Sequence, residues 1–260
     1  MIFDTNAYCS GRETCDDNPN ITAFPENFFT EALALGAEIS HTASGFTTAR
    51  YLFTDHDTFT DLPAMEEQAP ILSVLAQIKN SPAEKTRLLK VNGPYSILAA
   101  LVEPALFCRR IAKNPEVLHY GLEKITSGLA AYIHKAFALG VEIISLADPY
   151  ANAEILGERR YKEFAGSYLI KLLKGIIADE NSESDSDKKK HIHRIIHLCP
   201  YNSLSLEKFG MIKSETQELE NTNESYLDLL RKTKGPAHIR ILGHQCIYIK
   251  QTTKIIKLSF

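Results

Sequence analysis

The chain has 260 residues and a mass of 29.1 kDa, which suffices for one buried core and matches the usual size of an α/β barrel. Its formal net charge of −3 gives no broad basic field, so we expect no nucleic-acid partner. The longest apolar runs are far shorter than the ~20 residues that span a bilayer, and the first residues lack the basic end and apolar core of a signal peptide. We therefore expect one cytoplasmic domain over residues 1–260, with no membrane partner.

The cysteines are few and widely scattered. There are five, an odd number: Cys9, Cys15, Cys108, Cys199 and Cys246. In a reducing compartment this distribution favours thiols or metal ligands over a disulfide framework.

The first predicted elements follow an irregular N-terminal segment, residues 1–23. A helix is predicted to begin near Pro25, to present an apolar face that includes Leu33, and to end at Gly36, where a strand follows. Residues 41–63 predict irregular structure or a hairpin, and residues 66–80 a helix. The run at 86–101 predicts a strand, an Asn-Gly-Pro turn and a second helix.

The clearest pattern lies in the middle of the chain. Asn114 and Pro115 open a helix that ends at Gly140, and its apolar positions recur at helical spacing: Leu118, Leu122, Ile125, Leu129, Tyr132 and Ala136. An uncharged run from Val141 follows, as in a strand that is buried on both faces. This order of helix, glycine and strand predicts a parallel β/α architecture.

The last third alternates between apolar and highly polar segments. A helix is predicted around 161–177, and residues 178–190 predict a flexible surface loop because they combine acidic residues with a lysine run. Strands are predicted at 191–199, around 209–215, at 238–249 and at 252–260, with a helix near 223–235.

The strand "IHRIIHLCP" carries a candidate metal site. Residues two apart in a strand share a face, so His197 and Cys199 face the same space, ~6.6 Å apart at their Cα atoms. An imidazole and a thiolate together favour zinc. The alternative is that Cys199 is a small apolar filler and that His197 is only hydrogen-bonded.

A third ligand has to come from elsewhere in the chain. Cys246 is a candidate because it ends another apolar run, and the carboxyl ends of all strands meet on one face of an α/β barrel. His193 and His244 are alternative ligands. Three protein ligands and one open position are typical of a catalytic zinc.

Several segments resemble the uroporphyrinogen decarboxylase superfamily, and within it the zinc-dependent cobalamin:thiol methyltransferases of the methylcobalamin:coenzyme M type. The resemblance rests on "ENFFTEALALGAEI", "VNGPYSILAAL", the block from Asn114 to Ala151, the His-x-Cys pair and the later cysteine. It covers roughly residues 24–248, and the central block is its most specific part.

The resemblance implies a (β/α)8 barrel in which His197, Cys199 and Cys246 hold zinc. The zinc would bind a small thiol as thiolate, which attacks a methyl group on the cobalt of methylcobalamin, a corrinoid that a partner protein normally carries. Fewer residues than usual precede the first helix, so we expect a barrel that is shortened or altered at its N-terminus. The interval from Cys199 to Cys246 is also short, by about one β/α unit, which puts Cys246 in more doubt than the other two ligands.

Three further residues are site candidates. Asp148 follows a predicted barrel strand and is the candidate catalytic carboxylate, although Asp-Pro is also an ordinary turn opening. Asn92 and Tyr95 are candidate cofactor-binding residues, with plain turn chemistry as the alternative. Two other functions stay open: a catalytically reduced barrel that acts as a binding or regulatory partner, and a decarboxylase, whose arginine-rich N-terminal segment is not recognisable here.

Overall fold

The computed structural model describes residues 18–25, 29–42, 45–53, 59–182, 194–219, 224–232 and 239–260. Seven of the strands in these residues form one sheet, and the other two form a separate hairpin. In the sheet, the strands stand in the order first, fourth, fifth, sixth, eighth, ninth and seventh along the chain. The predicted α/β class is confirmed, because the first five strands in this order run parallel, with helices in the connections between them. None of the described helices is both long and apolar enough to cross a membrane.

The parallel strands are short and rich in branched apolar residues. They are β1 (Ile21–Phe24), β4 (Thr86–Asn92), β5 (Ile143–Ala147), β6 (Ile195–Leu198) and β8 (Arg240–Leu242). Both faces of β6 are buried along its whole length. This burial explains the near-continuous apolar run at the level of sequence.

The remaining strands are antiparallel. The hairpin pairs β2 (Glu38–Thr42) with β3 (Gly45–Arg50), and the far end of the large sheet pairs β7 (Lys213–Glu218) with β9 (Lys254–Ser259). The strand predicted after Gly36 therefore belongs to the hairpin and not to the parallel sheet. All six residues of β7 are exposed, so this strand contributes little to the core.

The helices lie in the connections between strands. They are α1 (Thr30–Ala34), α2 (Ala69–Asn80), α3 (Pro94–Leu101), α4 (Pro104–Lys113), α5 (Pro115–Ala138), α6 (Ala153–Arg160), α7 (Ser167–Ser182), α8 (Pro200–Lys208) and α9 (Tyr226–Lys232). A π-helical segment, Tyr161–Gly166, joins α6 to α7. The apolar stripe predicted for α5 is confirmed, since each of its six members is at most 1% exposed.

Alternation along the strands creates two apolar layers. On the outer face, strand residues such as Leu89, Ile144 and Ile196 pack against α2, α3, α5 and α7. On the inner face, Leu88, Ile143 and Ile195 pack against α9 and the C-terminal part of the chain. Helix α9 therefore fills part of the space that the inner face of the sheet encloses.

Three predicted boundaries and one predicted burial are wrong. Residues 21–23 were predicted to be irregular but belong to β1. Leu33 was placed on the buried face of the first helix but is 37% exposed. Helix α7 continues to Ser182, so residues 178–182 of the predicted loop are helical, and residues 183–190 lie outside the described part. Strand β8 ends at Leu242, which leaves Cys246 on an irregular segment, residues 243–253, and not at a strand end.

Candidate functional site

The three predicted metal ligands meet at one small cavity near the carboxyl ends of the parallel strands. The cavity has a volume of about 20 Å³, enough for about one water molecule. Its lining consists of Lys90, Val91, Ser145, Ala147, His197, Cys199, Pro200, Cys246, Ile247 and Tyr248. The structure thus brings to one cavity residues that stand 49 positions apart in the chain, although Cys246 reaches it from the irregular segment and not from a strand end.

His197 is a buried and well-oriented imidazole. Its Nε2–H donates to the carbonyl oxygen of Gln245 at 2.8 Å, which leaves Nδ1 as the nitrogen with a lone pair. The Ser145 hydroxyl lies 3.4 Å from Nδ1. Burial lowers the pKa of His197 to about 4, although the hydrogen bond to Gln245 opposes this shift. The ring is therefore neutral at pH 7, the form that binds a metal.

Cys199 has a rigid backbone and a buried side chain. It directly follows β6 and is the N-cap residue of α8, and its side chain is 6% exposed. Its N–H donates to the Leu146 carbonyl at 3.0 Å, and its own carbonyl accepts from the N–H groups of Asn202 and Ser203, both at 3.0 Å. These bonds fix the thiol at the end of the strand.

Cys246 is half-buried on the irregular segment 243–253. Burial raises the pKa of its thiol, a hydrogen bond with the Tyr248 backbone lowers it, and the nearby Cys199 raises it further. Two hydrogen bonds connect this segment to β6 and α8: the His197 ring N–H donates to the Gln245 carbonyl at 2.8 Å, and the His244 N–H donates to the Ser203 hydroxyl at 2.8 Å.

The donor set fits zinc in its chemistry, while its present spacing is not that of a metal site. One neutral imidazole and two thiols face the same cavity, and His197 already donates its second ring N–H to a carbonyl, as metal-bound histidines usually do. However, no three His, Cys, Asp or Glu side chains within the described ranges are close enough together to hold a metal ion. Zinc binding would therefore require these three side chains to come closer together.

The two alternative ligands do not improve this set. His193 lies outside the described residues. His244 is not part of the cavity lining, and its Nε2 lies 3.5 Å from a carboxylate oxygen of Glu207 on α8.

The cavity is bordered by a row of polar side chains that the sequence alone did not reveal. Lys90, Ser145 and His197 are register partners on three neighbouring strands and share the inner face of the sheet. Lys90 carries the only formal charge among the cavity-lining residues, and this positive charge favours anions such as thiolates. Alternation within each strand could have suggested the faces, but only strand pairing reveals the row.

Asp148 faces away from the cavity. Its carboxylate is 1% exposed and accepts hydrogen bonds from the N–H groups of Tyr95 and Ser96, at 3.3 and 2.7 Å, and from the Ser96 hydroxyl. Burial raises the pKa of this carboxyl to about 6, although the bonds to Ser96 and Tyr95 oppose the shift. Asp148 lies just past the end of β5, and its carboxylate lies at the first turn of α3. The structure therefore gives Asp148 a capping position on α3 and not the cavity-facing position that we predicted.

Asn92 and Tyr95 are also absent from the cavity lining. The Asn92 side-chain amide donates to Glu31 on α1 at 2.9 Å, and its backbone N–H donates to the same carboxylate at 3.2 Å. Burial raises the pKa of Glu31, against the effect of these bonds. Tyr95 packs edge-on against Phe107, with ring centroids 5.2 Å apart. Nothing in the sequence indicated that Glu31 would be the buried partner of Asn92.

A comparison with known protein families finds a match over most of the chain. Residues 21–246 match the family described as Uroporphyrinogen decarboxylase (URO-D). A uroporphyrinogen decarboxylase of Campylobacter concisus is 30% identical over 107 residues, which are 39% of this chain and 31% of that protein. The enzyme of the same name from Sulfurimonas denitrificans is 22% identical over 212 residues, 67% of this chain and 58% of that protein.

A solved structure shows a similar fold. A methyltransferase from Methanosarcina mazei superimposes with a TM-score of 0.57 and 20% sequence identity, over 74% of this chain and 56% of that one. At this identity the likeness is one of fold. The matched region spans about a third to three fifths of these relatives.

Proposed function

The chain belongs to the uroporphyrinogen decarboxylase (URO-D) family, and from that premise we propose that it is a zinc-dependent methyltransferase that moves a methyl group from a corrinoid to a small thiol. The observation that carries this proposal is the convergence of His197, Cys199 and Cys246 on one cavity. The donor types are those of a catalytic zinc with three protein ligands.

The chain's own residues prepare this site in three ways. His197 offers the lone pair of Nδ1, because the Gln245 carbonyl holds its other nitrogen as N–H. Cys199 is held at the strand end by its backbone bonds. Lys90 adds a positive charge that lowers the cost of placing thiolates beside the cavity. The chemistry that zinc supplies in such a site is the loss of a thiol proton near neutral pH.

The same proposal specifies a methyl donor and a partner protein that carries it. A thiolate needs a methyl group on a good leaving group, and the methylcobalamin form of a corrinoid, carried on a partner protein in the reducing cytoplasm, meets that need. Free methylcobalamin and a methylated folate are alternative donors that the same assay distinguishes.

Metal analysis and a methyl-transfer assay test the proposal together. Protein purified without chelator should hold about one zinc per chain, and this zinc should be lost in His197→Ala and Cys199→Ser. Cys246→Ser tests the third ligand, and Cys108→Ser, at an exposed position on α4, is the matched control. With methylcobalamin and a panel of small thiols, the zinc-loaded parent should show the absorbance change of cobalt–methyl cleavage. Absence of zinc after reconstitution would end the proposal.

A second candidate function is a reduced barrel that binds a partner without catalysis. Helix α9 favours it, because Tyr226, Leu227, Leu229 and Leu230 pack against the inner face of the sheet, where a substrate would need space. If zinc-loaded protein transfers no methyl group to any thiol of the panel, this second function is supported. The same experiment includes uroporphyrinogen III, since release of carbon dioxide from it would support a decarboxylase.

A further inference from the structure

The cavity has another property besides its candidate metal ligands. This property concerns its two thiols and does not depend on zinc. Cys199 and Cys246 both border a space of about 20 Å³. The two cysteines reach this space from separate parts of the chain, the end of β6 and the irregular segment 243–253. Neither cysteine is part of a disulfide in the structure.

Three hydrogen bonds connect the segments that carry the two cysteines. His197, two residues before Cys199, donates to the carbonyl of Gln245, the residue before Cys246, at 2.8 Å. The Ser203 hydroxyl accepts from the His244 N–H at 2.8 Å and donates to the Cys199 carbonyl at 3.2 Å. The segment that carries Cys246 is therefore attached to the turn that carries Cys199.

The two positions differ in how far they can move. Cys199 lies between a strand and the first turn of α8, and its backbone N–H and carbonyl are both hydrogen-bonded. Cys246 lies on the irregular segment 243–253, outside any helix or strand, and its carbonyl accepts from the Ile249 N–H at 3.1 Å. Formation of a covalent bond between the sulfur atoms would need adjustment mainly on the Cys246 side.

We propose that Cys199 and Cys246 form a reversible disulfide across the cavity when the zinc-free protein meets a peroxide. The half-buried Cys246 reacts first: its sulfur gains an oxygen atom from hydrogen peroxide, which gives a sulfenic acid and one water. The Cys199 sulfur then attacks the Cys246 sulfur, so that the S–S bond forms, the S–O bond breaks, and hydroxide leaves as water with the Cys199 proton. Two thiols are oxidised and one peroxide is reduced, and a dithiol reductant reverses the step.

Peptide mapping of the full chain tests this proposal. Chelator-treated protein is exposed to hydrogen peroxide, alkylated and digested, and the peptides that contain Cys199 and Cys246 should appear cross-linked, with a mass loss of about 2 Da for two hydrogen atoms. Treatment with dithiothreitol should restore both thiols. Cys108→Ser, which changes an exposed cysteine on α4, should cross-link like the parent, while Cys199→Ser and Cys246→Ser should not.

The outcomes separate this proposal from the zinc proposal. If both cysteines stay uncrosslinked in the parent, or if either pairs with Cys9, Cys15 or Cys108, the proposal is overturned. Bound zinc should protect both thiols from peroxide, and oxidised protein should take up no zinc. If the parent protein binds no zinc but still forms the cross-link, the methyltransferase proposal is refuted and the disulfide proposal is supported.

Discussion

At the scale of single residues, the buried carboxylate of Asp148 has several hydrogen-bond partners. It accepts from two backbone N–H groups and one hydroxyl in the first turn of α3, where the helix dipole also favours a negative charge. In return, the Asn202 side chain accepts from the Asp148 N–H at 2.7 Å and donates to its carbonyl at 3.0 Å. The residue therefore connects β5, α3 and α8.

Titration of Asp148 should be visible in the pH dependence of stability. Its pKa is raised by burial from 3.8 to about 6, so the folded protein binds this proton more tightly than the unfolded chain. The stability that it contributes is fully present below pH 3.8 and is lost as the pH rises through about 6. From about pH 4 to about pH 7 the parent should lose up to ~3 kcal/mol relative to Asp148→Asn, measured by urea unfolding. A constant difference between the two proteins across this range would contradict the assignment.

Gly93 is required by its contact with Asp148. A β-carbon at this position would lie 2.3 Å from the Asp148 carboxyl carbon, far inside van der Waals contact. Gly93→Ala should therefore lower the free energy of unfolding by about 1–3 kcal/mol. Gly175→Ala on α7 is the control, because nothing lies within 4 Å of its added carbon, and better helix propensity should raise stability by up to ~1 kcal/mol. Equal effects in thermal unfolding would show that packing around Asp148 is looser than described.

At the scale of elements, the seven-residue helix α9 combines hydrogen bonds at its start with packing. The Asp228 N–H donates to the Ser225 hydroxyl at 3.1 Å, and the Tyr226 N–H donates to the Ile249 carbonyl at 2.9 Å. Tyr226 is fully buried, and its ring packs edge-on against His197 with centroids 5.7 Å apart. Within the described residues its hydroxyl has no hydrogen-bond partner. The ring stabilises the helix, whereas burial of the hydroxyl costs free energy.

Two substitutions at Tyr226 should separate these effects. Tyr226→Phe keeps the ring and removes an unpartnered buried hydroxyl, so stability should stay the same or rise by about 1 kcal/mol. Tyr226→Ala leaves a cavity and should cost about 3–5 kcal/mol. Chemical unfolding measures both. A clear loss of stability in Tyr226→Phe would mean that the hydroxyl has a partner, such as an ordered water.

At the scale of the whole molecule, one sheet joins two apolar clusters. The outer cluster contains α5 and the inner cluster contains α9, and each takes alternate side chains from the same strands. Loss of either cluster would expose one face of every parallel strand. The clusters should therefore unfold in a single transition.

A pair of core substitutions tests this cooperativity. Leu129→Ala removes packing from the outer cluster and Leu230→Ala from the inner one, and both side chains are at most 1% exposed. Each should cost about 2–5 kcal/mol and lower one common Tm, seen alike by circular dichroism and tyrosine fluorescence. Two separate transitions in Leu230→Ala would identify the inner cluster as an independent unit.

The sequence predicted the elements that depend on local periodicity or on strong end signals. The α5 stripe, the buried strands β5 and β6, and the turn at Gly93 are of this kind, because apolar spacing and Gly or Pro positions act over a few residues. Leu33 was misplaced because a helix of five residues, α1, is too short for a pattern to define its buried face. The end of β8 was misplaced because the apolar residues after Leu242 pack in an irregular segment.

By itself, the sequence determined that the protein is an α/β chain of helices and buried strands, with a His-x-Cys pair at the end of one strand. Only the tertiary structure decided which side chains meet: Gln245 bonds His197, Lys90 and Ser145 join the polar row, and Asp148 turns towards α3. The physical reason is the distance along the chain over which each effect acts. Periodicity and turn chemistry act between neighbours along the chain, whereas strand pairing and the face on which a side chain emerges are fixed when distant segments pack together.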